Sequence, residues 1–226
     1  MTSTCIRLCL LLIPVASAAQ AQVSDADFCR NGLFPSEQEH LGLGVIQGRE
    51  GEKVHFLGDM DGCPARKESC VSPAYLVPGD RVVVGKSNAE WSCVWYQGRK
   101  HESVSWVPKK NVAMLPAPPI HPPGDWVGVW ADGPNRIRIS STGKGGELAM
   151  LSTLRWEGGT LPNGEPIAHF GGMSGVLHVD GRHAGAAQSG CQVRLARIGD
   201  YLAADDNGTC GGMNVRHTGM YLRRPR

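Results

Sequence analysis

DRVVVGKSNAEWSCVWYQGRKHESVSWVP, residues 80–108, holds three short runs of β-branched and aromatic residues separated by polar turns. Val82-Val83-Val84 leads through the turn at 85–90 into Trp91-Ser92-Cys93-Val94-Trp95-Tyr96, and a second turn at 97–102 leads into Ser103-Val104-Ser105-Trp106-Val107. Such side chains fit a pleated, half-buried surface. Runs of this length bounded by turn residues predict a hairpin followed by a third strand. Pro108 has no backbone N–H to give to a ladder, so the third strand should stop there. Alternation places Trp91, Cys93 and Trp95 on one face of the middle strand.

The same texture resumes after residue 124. Arg136-Ile137-Arg138-Ile139-Ser140 alternates strictly, as a half-buried strand should. Further apolar runs lie at 126–130, 147–152, 167–170, 176–179, 191–198 and 201–204, with turn signals at Gly145-Gly146, Asn163-Gly164, Asp180-Gly181 and Asn207-Gly208. Seven to nine short strands in the last hundred or so residues predict an antiparallel barrel or sandwich. With 30 Gly and 15 Pro in 226 residues there is little room for long helices, and the fold class expected is all-β. Between the two halves, residues 115–124 read LPAPPIHPPG. Five prolines in ten residues fix φ and remove donors, which predicts a stiff, extended linker. The expected order is a signal peptide at 1–21, a first domain with an N-terminal extension at 22–114, the linker at 115–124, and an antiparallel β-domain at 125–226.

Pro78-Gly79-Asp80, the valines, Trp91, Trp95, then Ser105-Trp106-Val107-Pro108 with Asn111-Val112 resemble the second half of an SH3 or bacterial SH3-like domain, over roughly residues 54–115. In that family a Gly-Asp precedes a strand, aromatics fill the next, and a G-[apolar]-[apolar]-P-x-x-x-V segment closes a small barrel through one helical turn. Ser105 stands here in place of the usual Gly, and Asn111 where peptide-binding members place a Tyr. The resemblance implies an SH3-like small barrel. If the Trp91 or Trp106 ring is exposed beside Pro108, it forms an aromatic groove suited to a peptide or glycan strand; burial in the core is the competing fate. The run Cys210-Gly211-Gly212-Met213-Asn214-Val215, continuing to His217, Gly219, Tyr221 and Arg223, is similar to the closing segment of small exported proteobacterial β-domains. Some of those stand beside modules linked to lysozyme inhibition.

The chain starts with Arg7, an apolar run from Leu8 to Val15 broken by Pro14, and then Ala16-Ser17-Ala18 and Ala19-Gln20-Ala21. That is the pattern of a secretory signal cut after Ala18 or Ala21, and the run is far shorter than the roughly 20 residues that cross a bilayer. Cleavage removes two of eight cysteines, and the six that remain in an exported chain read as three disulfides. Cys191 and Cys210, on one strand and after the next hairpin, would fasten the last strands. Of the three pairings open to the other four, spacing favours Cys63 with Cys70 and Cys29 with Cys93. No C-x-x-C pair or Cys/His cluster at ligand spacing calls for zinc, and no cofactor is expected. A formal net charge of +2 supplies no drive toward nucleic acid or anionic lipid. After cleavage, stable membrane insertion is not expected.

Catalytic readings fare poorly on the sequence. Ser189-Gly190-Cys191-Gln192-Val193-Arg194 resembles the nucleophile segment of L,D-transpeptidases, but the His before Gly-Cys is missing and Cys191 has a partner in Cys210. Gly172-Met173-Ser174-Gly175 lacks the spacing of a nucleophile elbow. His178 and His183 straddle a turn and could face each other. Asp59 with Asp61, and Asp205 with Asp206, read as turn residues, without the ligand spacing of a calcium loop or the separation of glycosidase carboxyls. The expectation is a non-enzymatic binding or adaptor protein, periplasmic or secreted, whose partner is peptidoglycan or an envelope or secreted protein. The alternatives are an inhibitor of lysozyme-like wall hydrolases and a wall-modifying enzyme with an unrecognised site.

Overall fold

The first half of the chain contributes β1 (Gly42–Ile46), β2 (Val54–Leu57), β3 (Val71–Leu76), β4 (Arg81–Ser87), β5 (Trp91–Gln97), β6 (Glu102–Pro108) and β7 (Val112–Met114). They form one antiparallel sheet in the order β3-β2-β6-β5-β4-β1-β7. The second half contributes β8 (Gly128–Asp132), β9 (Asn135–Ser141), β10 (Leu148–Thr160), β11 (Pro166–Gly171), β12 (Ser174–Asp180), β13 (His183–Gln188), β14 (Cys191–Ile198), β15 (Tyr201–Asp206) and β16 (Gly219–Arg223). The computed structural model describes residues 28–117 and 122–225. The signal segment expected at 1–21 and the middle of the Pro-rich stretch lie outside the described residues. The all-β expectation holds, and no helix among the described residues is long and apolar enough to cross a membrane.

The second sheet runs β11-β10-β12-β13-β14-β15-β16-β8-β9, and β9 returns to pair with β10 from Leu148↔Ser141 to Thr153↔Arg136. That closure makes an eight-stranded antiparallel barrel without β11. Closing a sheet on itself is the one full solution to unpaired strand edges. Strand β10 is 13 residues long and serves two purposes. Its first half lies in the barrel wall between β9 and β12, and its second half leaves with β11 as a hairpin.

Apolar alternation fills three cores. Trp126, Trp130, Ile137, Met150, Leu195 and Tyr221 pack inside the barrel. Ile46, Phe56, Leu76, Val82, Val94 and Val107 fill the core of the first sheet. A third cluster joins the two: Trp91, Cys93 and Trp95 from one face of β5 meet Ala196 and Ile198 of β14, Ala203 of β15 and Met220 of β16. Strand β5 is therefore buried on both faces, with Val94 turned to its own sheet and the tryptophans turned to the barrel. The Trp95 and Tyr201 rings meet edge-on across this joint, 5.2 Å between centroids. Although the prolines of 115–124 link them in sequence, the two sheets pack directly on one another.

The N-terminal extension is the strap across that joint. Phe34 and Leu41 are buried in the shared cluster. Buried Gln38 donates its Nε2 to the Arg194 and Ala203 carbonyls of the barrel, at 3.1 and 3.4 Å. In return the Arg182 guanidinium donates to the Leu41, Glu39 and Gln38 carbonyls at 2.9, 3.0 and 3.4 Å. Arg182→Ala is expected to cost about 1–2 kcal/mol, because three carbonyls lose a charged donor. A thermal melt should show a Tm lower by several degrees, and an unchanged Tm would mean that the strap is held by Phe34 and Leu41 alone. All three bridges form: Cys29–Cys93, Cys63–Cys70 and Cys191–Cys210. Such bridging belongs to a chain that folds in an oxidising compartment.

Candidate functional site

Strands β5 and β6 pair with Trp91 opposite Pro108 and Cys93 opposite Trp106. That register keeps the three residues expected at an aromatic groove on one face of the sheet, with Trp91 beside Pro108, but the barrel packs against that face. Trp106, only 3% exposed, points into the joint between the sheets, and its indole N–H is buried without an acceptor. Trp91 is 6% exposed, so most of its ring is also core. Neither ring stands free as a platform. What remains on the surface is a hollow of about 450 Å³ whose wall includes Trp91, Pro108, Glu90, Lys109 and Lys110. The 3₁₀ turn Lys109–Asn111 follows Pro108 directly and carries both ammoniums to the rim. Lys109 Nζ donates to the Asn88 carbonyl at 3.0 Å, while Lys110 has no hydrogen bond or ion pair among the described residues. Two cations against the single Glu90 carboxylate leave a net positive rim on an apolar wall, which suits a small anionic group with an apolar stem.

A second hollow, of about 570 Å³, opens in the barrel beside the Cys191–Cys210 bridge. It lies where the base of the β10–β11 hairpin meets the loop after β15. Gly171 and Gly211 form an isolated bridge there, and a Cβ on Gly171 would stand 2.6 Å from the Cys210 carbonyl oxygen. The close approach of the two backbones requires glycine. Behind this wall runs a hydrogen-bonded chain. Ser152 Oγ lies 2.8 Å from His217 Nε2, and His217 Nδ1 lies 2.8 Å from Asp206 Oδ2. The same carboxylate oxygen accepts the His217 backbone N–H at 2.6 Å. Because a carboxylate only accepts, Nδ1 is the donor to Asp206, which leaves Nε2 of a neutral ring to take the Ser152 hydroxyl proton.

The order of atoms is that of an acyl-transfer triad. Its surroundings are not. The His217 and Asp206 side chains have no exposed surface, and Ser152 is 4% exposed. Ser152 Oγ already accepts the Met173 backbone N–H at 2.9 Å. Nearby backbone donors are also committed, Gly172 N–H to the Cys210 carbonyl and Gly212 N–H to that of Phe170. The chain ties β10, the end of β15 and the approach to β16 together across the barrel. Burial pushes the Asp206 carboxyl up, but the His217 ring, the His217 N–H and the Gly208 N–H more than offset it and hold the group below the usual carboxylate range.

Another carboxyl behaves oppositely. Asp132, at the end of β8, is pushed up to about 6 by burial first and by neighbouring Glu102 second, with Arg136 partly offsetting both. An acid whose folded pKa is raised binds its proton more readily when folded, so it destabilises the protein above about pH 6 and stops doing so as pH falls toward the unfolded value near 4. Asp132→Asn should therefore raise Tm at pH 7.5 and leave it nearly unchanged at pH 4. Melts at the two pH values check the sign.

The remaining residues singled out in the sequence are placed elsewhere. His183 stands opposite Asp180, and His178 opposite Gly185, so the two imidazoles do not pair across the turn. Asp205 is engaged by Arg194 and by Thr218 Oγ1, and Asp206 by His217, which makes this pair a structural anchor rather than a cation loop. Asp59 binds Arg30 at 2.7 Å and accepts the Cys29 N–H, again tying down the N-terminal strap. Cys191 is bonded to Cys210 and is no nucleophile in this form. The Ser152–His217–Asp206 chain escaped the sequence reading because its members lie 65 and 11 residues apart and only barrel closure joins them. No family model, curated protein or solved structure matches this chain.

Proposed function

We propose that the protein is a non-enzymatic binding or adaptor protein of the cell envelope, periplasmic or secreted, that holds an anionic wall peptide or a similar acidic partner. The observation that carries this reading is the hollow in which Trp91 and Pro108 stand together with Lys109 and Lys110. The signal-like start and the three bridges support the address, and the SH3-like resemblance of roughly residues 54–115 supports a binding role for this sheet. Wall stem peptides carry several carboxylates on short apolar residues, which matches two cations beside an indole and a proline ring. The test is a tryptophan-fluorescence titration with a sugar-free wall stem peptide. The Lys109→Glu/Lys110→Glu double variant should bind at least tenfold more weakly and less salt-dependently, the loss of about 1.4 kcal/mol or more. Equal binding by parent and variant would remove this hollow from the account.

A second reading is favoured by one feature, the Ser152–His217–Asp206 chain, which is that of a wall-modifying enzyme working by acyl transfer. It requires Ser152 to exchange the Met173 N–H for a substrate carbonyl. Covalent labelling of Ser152 by a fluorophosphonate, lost in His217→Ala, would establish it; an unlabelled protein would exclude it.

A further inference from the structure

We infer that the barrel hollow beside Cys191–Cys210 binds an uncharged sugar unit of the N-acetylhexosamine type. The inference rests on the envelope-binding reading above and adds a second ligand class at a second place. Its first ground is the chemistry of the wall. The polar side chains that line the hollow are Ser152, Ser174, Gln188, Ser189 and Thr209, and the apolar part is Leu151, Met173 and the disulfide. No ionisable side chain contributes, since both cysteines are bridged. A charged ligand would lose water here with no counter-charge to replace it. Hydroxyls and a carboxamide, by contrast, both donate and accept, as a polyol with an acetamido group requires.

The second ground is which of those groups remain available. Ser189, in the β13–β14 turn, has no hydrogen-bond partner among the described residues. Gln188 Oε1 accepts the Ser174 N–H at 2.9 Å, while its Nε2 reaches only Ser174 Oγ, at 3.4 Å, and keeps a second N–H unused. Exposed Leu151 and the buried Met173 and disulfide give the C–H face of a pyranose or an acetamido methyl something to lie against. A volume of about 570 Å³ holds one or two such rings.

The third ground separates a sugar from a peptide. An extended peptide adds to a sheet by bonding to free backbone groups. Four donors in and beside this hollow are already engaged: Gly172 N–H by the Cys210 carbonyl, Gly212 N–H by Phe170, Ser152 N–H by Met173, and Ser174 N–H by Gln188. Recognition is left to side chains, which is the mode that suits a ligand without its own strand-forming backbone.

The experiment titrates the full chain with tri-N-acetylchitotriose and, separately, with a neutral tripeptide, following binding by calorimetry. Ser189→Gly removes the hydroxyl and keeps the turn, because Ser189 already has φ of 49°, where glycine is favoured. Gln188→Ala removes the carboxamide from an exposed position. The expected result is saturable binding of the sugar and not of the peptide, weakened about tenfold by either substitution and unaffected by Lys109→Glu/Lys110→Glu. Absence of sugar binding while stem-peptide binding persists overturns this inference and leaves the envelope reading intact. Sugar binding indifferent to both cleft variants, or preferred binding of the tripeptide, overturns it as well. If neither sugar nor stem peptide binds, both readings fall together.

Discussion

His217→Ala is expected to lower the stability of the protein by about 3–5 kcal/mol, the range for leaving a buried charge, here the Asp206 carboxylate, without its side-chain partner. The imidazole has no exposed surface and fills both ends of a hydrogen-bonded chain, to Ser152 Oγ and to Asp206 Oδ2, each at 2.8 Å. Truncation leaves a buried carboxylate with two backbone donors and the Arg216 guanidinium at 3.8 Å, a buried hydroxyl without its ring partner, and a cavity where the imidazole stood. For a chain of this size the Tm should fall by roughly 10 °C. Ser152→Ala removes one neutral partner only and should cost less, about 1–3 kcal/mol. The acid limb gives an independent check. Because the folded Asp206 carboxyl lies below its usual range, its contribution is complete above the unfolded pKa near 4 and is lost as pH falls through the folded value. Asp206→Asn should therefore flatten the fall in stability at low pH. A His217→Ala protein as stable as its parent would show that the chain of bonds is no fastening, and would move weight to the acyl-transfer reading.

Loss of the Cys29–Cys93 bridge, by serine substitution at both positions, should cost about 4 kcal/mol. Its sequence separation of 64 residues is the longest of the three, against 19 for Cys191–Cys210 and 7 for Cys63–Cys70. In the chain-entropy account a longer closed loop constrains the unfolded chain more, so the three bridges should rank in that order. Position adds to the effect. Both sulfurs are buried in the cluster that joins the two sheets, and Cys29 anchors the strap that carries Phe34, Gln38 and Leu41 across the joint. Besides a lower melting temperature, the double variant should show faster hydrogen exchange over residues 28–41 and over the outward residues of β14 and β15. Protection unchanged in β14 and β15 would mean that the strap does not couple the sheets.

Much of this architecture could be read from local pattern. Arg136-Ile137-Arg138-Ile139 alternates because one face of β9 sees the barrel interior and the other sees water. The turn dipeptides Asp180-Gly181 and Asn207-Gly208 mark hairpin or strand ends because glycine reaches positive φ there, at 58° and 82°. The three disulfides were expected from the signal-like start and the cysteine spacing. The packing of one sheet on the other was also written in the sequence, in a different sign: alternation stops at Leu195-Ala196-Arg197-Ile198 and at Leu202-Ala203-Ala204, and both stretches are buried on both faces. A stretch that buries both faces needs a second neighbour, and the five prolines of 115–124 pointed attention to separation instead. The fate of Trp91 and Trp106 was not legible. Alternation sorts side chains into two faces, but whether a face meets solvent depends on what else packs there, and here it is the barrel. The Ser152–His217–Asp206 chain was equally hidden, since it depends on β9 meeting β10 and on the loop after β15 folding back, which are long-range events without a local motif.

As proposed, this protein binds wall material without altering it. The most direct measurement incubates the purified chain with isolated sacculi, scores the pelleted protein, and compares the muropeptide profile of the sacculi before and after. Saturable pelleting that weakens with added salt is expected, with a profile that does not change. Protein left entirely in the supernatant, or new muropeptides that appear with time and vanish in His217→Ala, would contradict it.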